Sequence, residues 1–187
     1  MFILRKVYAF LVDTIQSILI AASVFLVIYI FLFRPFQVNG ESMYPNFHDQ
    51  QYVLTNLITL RFGAPVRGDV IVFKAPPDPD KDFIKRVIGL PGDTVMVKDG
   101  GVYVNGNFLD ESSYLSSDVK TYGGAFLKDG DTITVPSGEY FVMGDNRQYS
   151  SDSREWGFVP SENIIGKSFL IYWPLNEAKT IGNPLKK

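Results

Sequence analysis

From Thr14 to Phe33 the chain runs TIQSILIAASVFLVIYIFLF, twenty residues without a charge. A helix of that length, at about 1.5 Å per residue, is roughly 30 Å long and matches the hydrocarbon core of a bilayer. A cleaved leader would carry a shorter apolar region ending at small residues. Here the run ends on Phe31-Leu32-Phe33, and Ala21-Ala22-Ser23 falls in mid-span. The stretch therefore predicts an uncleaved anchor over residues 14–33. Arg5, Lys6 and the amino terminus favour the cytoplasm for a short segment 1–13, which puts residues 34–187 outside. Arg34-Pro35 stops the helix, since proline cannot continue it and disfavours helix at the preceding residue.

About 150 residues follow the anchor, enough for a real core. Their signals are strands and turns, and no helical period is sustained. Gly68–Phe73, Asp82–Leu90 and Ile164–Trp173 read as strands. Thr94–Val97 and Val102–Val104 flank Asp99-Gly100-Gly101 as a hairpin, and Asn105-Gly106 marks a further turn. Thr132–Val135 and Glu139–Met143 flank Pro136-Ser137-Gly138, which predicts a second hairpin. Residues 110–131 look like an exposed excursion. The fold class expected is mainly β, with one N-terminal transmembrane helix.

Composition removes several chemistries. The formal charge is −2, which gives no electrostatic case for nucleic acid. No cysteine is present, so disulfides, thiol catalysis and Cys-ligated metal are excluded. There is one histidine, His48, so a multi-histidine metal site is impossible and a Ser-His-Asp triad would have to use it. It lies in the polar stretch Asn46–Gln50 and reads as a surface loop residue.

Two segments carry nucleophilic chemistry. Gln37-Val38-Asn39-Gly40-Glu41-Ser42-Met43-Tyr44-Pro45 holds a serine in a Gly- and Pro-punctuated loop just beyond the anchor. Phe83-Ile84-Lys85-Arg86-Val87-Ile88-Gly89-Leu90-Pro91-Gly92-Asp93 holds a lysine among apolar residues. A serine hydroxyl needs an adjacent base, and a lysine serves only when desolvation lowers its pKa. In a strand Phe83, Lys85 and Val87 share a face. The bland reading is a surface lysine paired with Asp78, Asp80 or Asp82. A third segment, Met143 to Arg154, is a polar loop with an Asp152/Arg154 pair, suited to buttressing a site or to ordinary turns. Ser117-Asp118-Val119-Lys120 matches an S-x-x-K pattern, but no Ser-Asp-Asn or Lys-Thr-Gly accompanies it.

Taken together, the anchor, the Ser-Met segment, Gly68-Asp69-Val70, the Lys-Arg-Val-Ile-Gly-Leu-Pro-Gly-Asp block and Gly-Asp-Asn-Arg followed by Ser-x-Asp-Ser-Arg resemble the type I signal peptidases. The likeness covers nearly the whole chain. It implies a membrane-bound serine endopeptidase with Ser42 as nucleophile and Lys85 as general base, and a mechanism that requires no metal or cofactor. Ser150 matches the serine that orients the lysine, Asp152 and Arg154 the ion pair that holds the loop, and Gly144 the glycine whose small size lets the loop approach the lysine. Arg86 and Asp145 are expected to be structural. Phe36, Val38, Met43 and Ile84 fall where the family lines its substrate cleft. The implied partners are the lipid bilayer and exported preproteins with small residues at −1 and −3. Gly40 departs from members that carry a serine there to complete the oxyanion hole, leaving the Ser42 N–H or another donor. The segment 98–135 resembles the reduced second region of compact members. The alternative is a membrane-anchored β module that only binds, which would have no use for a buried lysine beside Ser42.

Overall fold

The computed structural model describes residues 2–58 and 63–186. Helix α1 spans Phe2–Leu32, so it begins well before Thr14. Residues 2–13 contain no glycine or proline, and their few charges do not interrupt a helix. Its most apolar window, within Ile3–Val27, has no buried residue. An apolar window left unburied on every side fits a membrane anchor. Thr14, Ser17 and Ser23 turn their hydroxyls onto the carbonyls of Phe10, Asp13 and Leu19 at 2.7–2.8 Å, leaving none of these groups unsatisfied.

The helix stops one residue short of Phe33, where strand β1 (Phe33–Gln37) begins. Pro35 within it lacks a donor, and β1 is an edge strand paired only with β2 (Tyr52–Asn56), the setting that tolerates proline. The other strands are β3 (Val70–Ala75), β4 (Asp78–Gly89), β5 (Thr94–Lys98), β6 (Gly101–Val104), β7 (Asn107–Phe108), β8 (Thr132–Thr134), β9 (Glu139–Met143), β10 (Val159–Pro160), β11 (Ile164–Trp173) and β12 (Lys179–Thr180). A four-residue helix, α2 (Ser153–Trp156), interrupts them. The fold is mainly β. Its larger sheet runs β1-β2-β11-β3-β4-β9-β10 with β12 beside β11, and the smaller runs β7-β6-β5-β8. All pairings are antiparallel.

The apolar run Val70-Ile71-Val72-Phe73 is buried on both faces of the large sheet. Val70 joins Val38, Met43, Phe47, Val53 and Ile171 on one side. Ile71 and Phe73 join Val87, Val142 and Val159 on the other. A third cluster binds the sheets together, with Ile88, Phe141 and Met143 of the large sheet against Val95, Val97, Val102 and Val104 of the small one. Each such side chain contributes roughly 1.5–3 kcal/mol when fully buried.

The β5–β6 hairpin forms as expected. Asp99 and Gly100 both take positive φ, 54° and 78°, the two-residue turn whose twist suits a hairpin. The second expected hairpin does not form. β8 pairs with β5 in the small sheet, whereas β9 pairs with β4 and β10 in the large one. Pro136-Ser137-Gly138 is a crossing between sheets, and a turn signal states only that the chain bends there. The excursion 110–131 is also less exposed than expected. Tyr114, Leu115, Thr121 and Leu127 are buried, because the segment folds back over the domain.

Candidate active site

The chain leaves β1 through Val38, whose N–H donates to the Gln51 carbonyl at 2.7 Å while Gln50 N–H returns to the Val38 carbonyl at 2.8 Å. Between these rungs the loop doubles over, turning at Gly40 with φ +84°. The Gly40 N–H donates to Asp49 Oδ1 at 2.6 Å, and this bond with those from Gln50 holds the exposed Asp49 carboxyl below its usual range. Met43 drops into the core and leaves Ser42 at the rim of a cleft.

Lys85 comes from β4, where Phe83 pairs with Phe73 and Lys85 with Ile71. The alternation expected in this strand holds, and the Lys85 ammonium lies 5.2 Å from the centroid of the Phe83 ring. The residue is 4% exposed. Its Nζ donates to Ser42 Oγ at 2.7 Å and to the Ile84 carbonyl at 3.1 Å. Desolvation lowers its pKa from 10.5 to about 8, and Asp152 and Asp145 oppose a further fall. The surface aspartates do not engage it. Asp78 pairs with Lys81 and Asp82 with Lys74.

Gly144 is where the two loops meet. A Cβ there would sit 2.2 Å from Ser150 Oγ and 2.3 Å from the Ser42 carbonyl oxygen. The closest atoms are thus those of Ser42 and Ser150, and not those of Lys85, which the loop was expected to approach. Its N–H donates to Asp152 Oδ2 at 3.0 Å. Asp152 also caps α2 through the Arg154 N–H and receives Nε and Nη2 of Arg154, both at 2.8 Å. The expected ion pair is therefore present, buried and two-pronged. Arg86 and Asp145 form a second buried pair, at 2.8 and 2.6 Å.

Two expectations are corrected. Ser150 does not hydrogen-bond Lys85. Its hydroxyl is buried without a hydrogen-bond partner, and Nζ bonds Ser42 Oγ and the Ile84 carbonyl instead. Met43 does not line the cleft. It is 0% exposed, because the loop folds its apolar side chain under Val53 and Val70. Phe36, Val38 and Ile84 do border the cleft, together with Val53, Val72 and the unexpected Ser151. The cleft has a volume of about 730 Å³. His48 is half-exposed at 3.4 Å from Glu177 and does not border it.

Sequence reading also missed Asn146 and Arg147. Asn146 donates its N–H to the Ser42 carbonyl and its Nδ2 to the Glu41 carbonyl, both at 3.0 Å. Arg147 Nε donates to the Gly144 carbonyl at 3.0 Å. Both lie in the Gly-Asp-Asn-Arg block, which was the available signal. No neighbouring peptide among the described residues accepts a bond from the Ser42 N–H. Nor do the described residues form a His, Asp or Glu cluster able to hold a metal.

Comparison with known proteins points one way. The family described as "Signal peptidase, peptidase S26" matches residues 11–173. The chain is 36% identical to signal peptidase IB of Staphylococcus aureus (strain Mu50) over 93% of its own length and 95% of the relative's. It is 39% identical to signal peptidase I S of Bacillus subtilis (strain 168) over 88% and 90%. Among solved structures, a signal peptidase I from Enterococcus faecalis V583 aligns at TM-score 0.46 and 36% identity, covering 55% of this chain and 95% of that one. The matched family and the two signal peptidases of Staphylococcus aureus and Bacillus subtilis define a peptidase, and the fold is mainly β with one long apolar helix. The chain belongs to the type I signal peptidases of peptidase family S26.

Proposed function

We propose that this protein removes N-terminal signal peptides from exported preproteins by a Ser42–Lys85 dyad. The observation that carries the reading is the 2.7 Å contact between Lys85 Nζ and Ser42 Oγ, with the lysine buried and its pKa lowered to about 8. At that value an appreciable fraction is neutral near physiological pH. The contact then reverses, with the hydroxyl donating to the nitrogen lone pair. Ser42 Oγ attacks the scissile carbonyl as its proton passes to Nζ, and the ammonium gives that proton to the leaving amine. Neutral Lys85 next takes a proton from water as the water oxygen attacks the ester carbonyl, and the bond from Ser42 Oγ to the acyl carbon breaks as the lysine returns that proton to Oγ. The free Ser42 N–H is suited to meet the oxyanion, and Gly40 offers no hydroxyl to help.

The substrate lies extended along the cleft between Phe36–Val38 and Ile84, whose apolar walls favour small residues at −1 and −3. Asp152 and Arg154 support the site through Gly144. Helix α1 anchors the enzyme in the membrane, with residues 1–13 in the cytoplasm and 34–187 outside, so cleavage occurs beside the bilayer where the signal peptide emerges. The test is labelling of the full chain in micelles with a serine-reactive acylating inhibitor during cleavage of a preprotein. One label at Ser42, lost together with cleavage in Ser42→Ala, is the expected result. Undiminished cleavage by a folded Ser42→Ala protein would sink the proposal.

A further inference from the structure

Residues 110–122 form a strap that contains no residue of the expected site, yet its polar side chains end on the loop beside the dyad. Glu111 receives Arg147 Nη2 at 2.6 Å and Nη1 at 2.8 Å. Tyr114 donates its hydroxyl to Glu111 and receives Arg147 Nη2 at 3.4 Å. Thr121 Oγ1 takes the remaining reach of Nη1 at 2.8 Å. The Arg147 side chain has no solvent exposure. Its guanidinium is therefore held almost wholly by the strap, and an arginine so held keeps one orientation.

That orientation matters because Nε of the same guanidinium donates to the Gly144 carbonyl at 3.0 Å, while Asp152 grips the Gly144 N–H. The peptide on which the two catalytic loops meet is fixed at both ends. Asn146, inside the same turn, holds the Ser42 carbonyl. The strap also touches the other side of the site. The Tyr114 carbonyl accepts Asn46 Nδ2 at 2.8 Å, and the Tyr114 ring lies 4.2 Å from the Arg86 guanidinium. The strap is rooted in the small sheet, since the Thr121 N–H donates to the Gly100 carbonyl at 3.0 Å.

We propose that Glu111 is a positioning residue for the cleavage reaction: acting through Arg147, with Tyr114 as its second support, it sets the 144–147 turn that holds the main chain of Ser42. The inference rests on the Ser42–Lys85 reading above. Glu111 does not border the cleft, so its loss acts on the chemical step and spares binding. A peptide displaced by even about 1 Å from productive geometry can cost on the order of 100-fold in rate.

The experiment compares wild type, Glu111→Gln, Arg147→Met and the double variant, as full chains in micelles with a signal-peptide substrate. Active sites are titrated by stoichiometric Ser42 acylation, so kcat refers to folded, competent enzyme only. We expect Glu111→Gln to lower kcat per titrated site at least about tenfold, with KM within about threefold. The double variant should be no more than about twofold worse than Arg147→Met alone, the non-additivity of two residues acting as one unit. A Glu111 that merely stabilises the fold would reduce the number of titrated sites and leave kcat per site unchanged. That result, or full additivity in the double variant, overturns the proposal. If Glu111→Gln does not fold, Tyr114→Phe decides, since it removes one hydroxyl and keeps the ring and carbonyl contacts. It should lower kcat per site about two- to fivefold, and an unchanged value there counts equally against the strap. Wild type that cleaves without Ser42 labelling would instead strike at the dyad itself.

Discussion

Burying Lys85 should cost the fold stability, in an amount that pH can switch off. The folded pKa is about 8 against 10.5 for the free side chain. At about 1.36 kcal/mol for each pH unit between those values, holding the ammonium in its apolar surround costs roughly 3 kcal/mol. The sign follows from proton counting. Below pH 8 both folded and unfolded chains are protonated, and the full cost is present. Between pH 8 and 10.5 the unfolded chain holds a proton the folded chain lacks, so stability rises with pH. Above 10.5 the cost is gone. Lys85→Met keeps the length of the side chain and removes the charge. It forfeits the bonds to Ser42 Oγ and the Ile84 carbonyl, which border the cleft and can turn to water, at about 1 kcal/mol.

The balance at pH 7 is a variant more stable by about 2 kcal/mol, or roughly 4–8 °C in Tm for a domain of this size. Above pH 10.5 it should be less stable than wild type by about 1 kcal/mol. Thermal unfolding of both full chains in micelles, from pH 7 upwards, measures the difference. Groups common to both proteins cancel in it. A difference independent of pH, or a Lys85→Met protein less stable at pH 7, would refute the assigned cost of burial. The variant should also be inactive throughout, so stability and activity part company at one residue.

Gly144→Ala places a methyl group 2.2 Å from Ser150 Oγ and 2.3 Å from the Ser42 carbonyl oxygen. Displacing either loop should lower kcat per titrated site on the order of 100-fold, measured beside a melting curve to separate misfolding from misplacement. Met43→Ala should cost about 2–5 kcal/mol of stability with KM within about threefold, since Met43 is core and not cleft wall. A large rise in KM with Tm unchanged would return it to the substrate. Protease added outside intact cells lacking an outer barrier should digest residues 34–187. Complete protection until lysis would reverse the proposed topology.

The dyad residues were legible because their signals are local. A serine in a turn-rich loop and a lysine flanked by Phe83, Ile84, Val87 and Ile88 suggest a nucleophile and a desolvated base. The same local pattern fits a surface lysine paired with Asp78, Asp80 or Asp82, and the ordered motifs shared with the family decide between them. Strand β11 emerged with its observed limits, since Pro174 and the run Ile164–Trp173 define it by composition. Residues defined by distant partners were not legible. Met43 looks like a cleft residue until the loop is seen to fold over Val53 and Val70. The partner of β8 is β5, and nothing in the Pro136-Ser137-Gly138 turn encodes that choice. The Glu111–Arg147 pair joins residues 36 apart through no periodic pattern. The same holds for Ser150, whose buried hydroxyl makes no bond to Lys85 or to any other group, a placement no local pattern encodes.

The central claim is that Lys85 is the base for Ser42, and the pH dependence of kcat/KM addresses it most directly. With full-length enzyme and a signal-peptide substrate, kcat/KM should rise tenfold per pH unit below a single midpoint near 8 and level off above it. Lys85→Arg keeps the positive charge but cannot give up its proton, so that variant should stay at baseline at every pH. A wild-type profile flat across pH 6–9 would contradict the account, as would a folded Lys85→Arg protein with near-normal turnover.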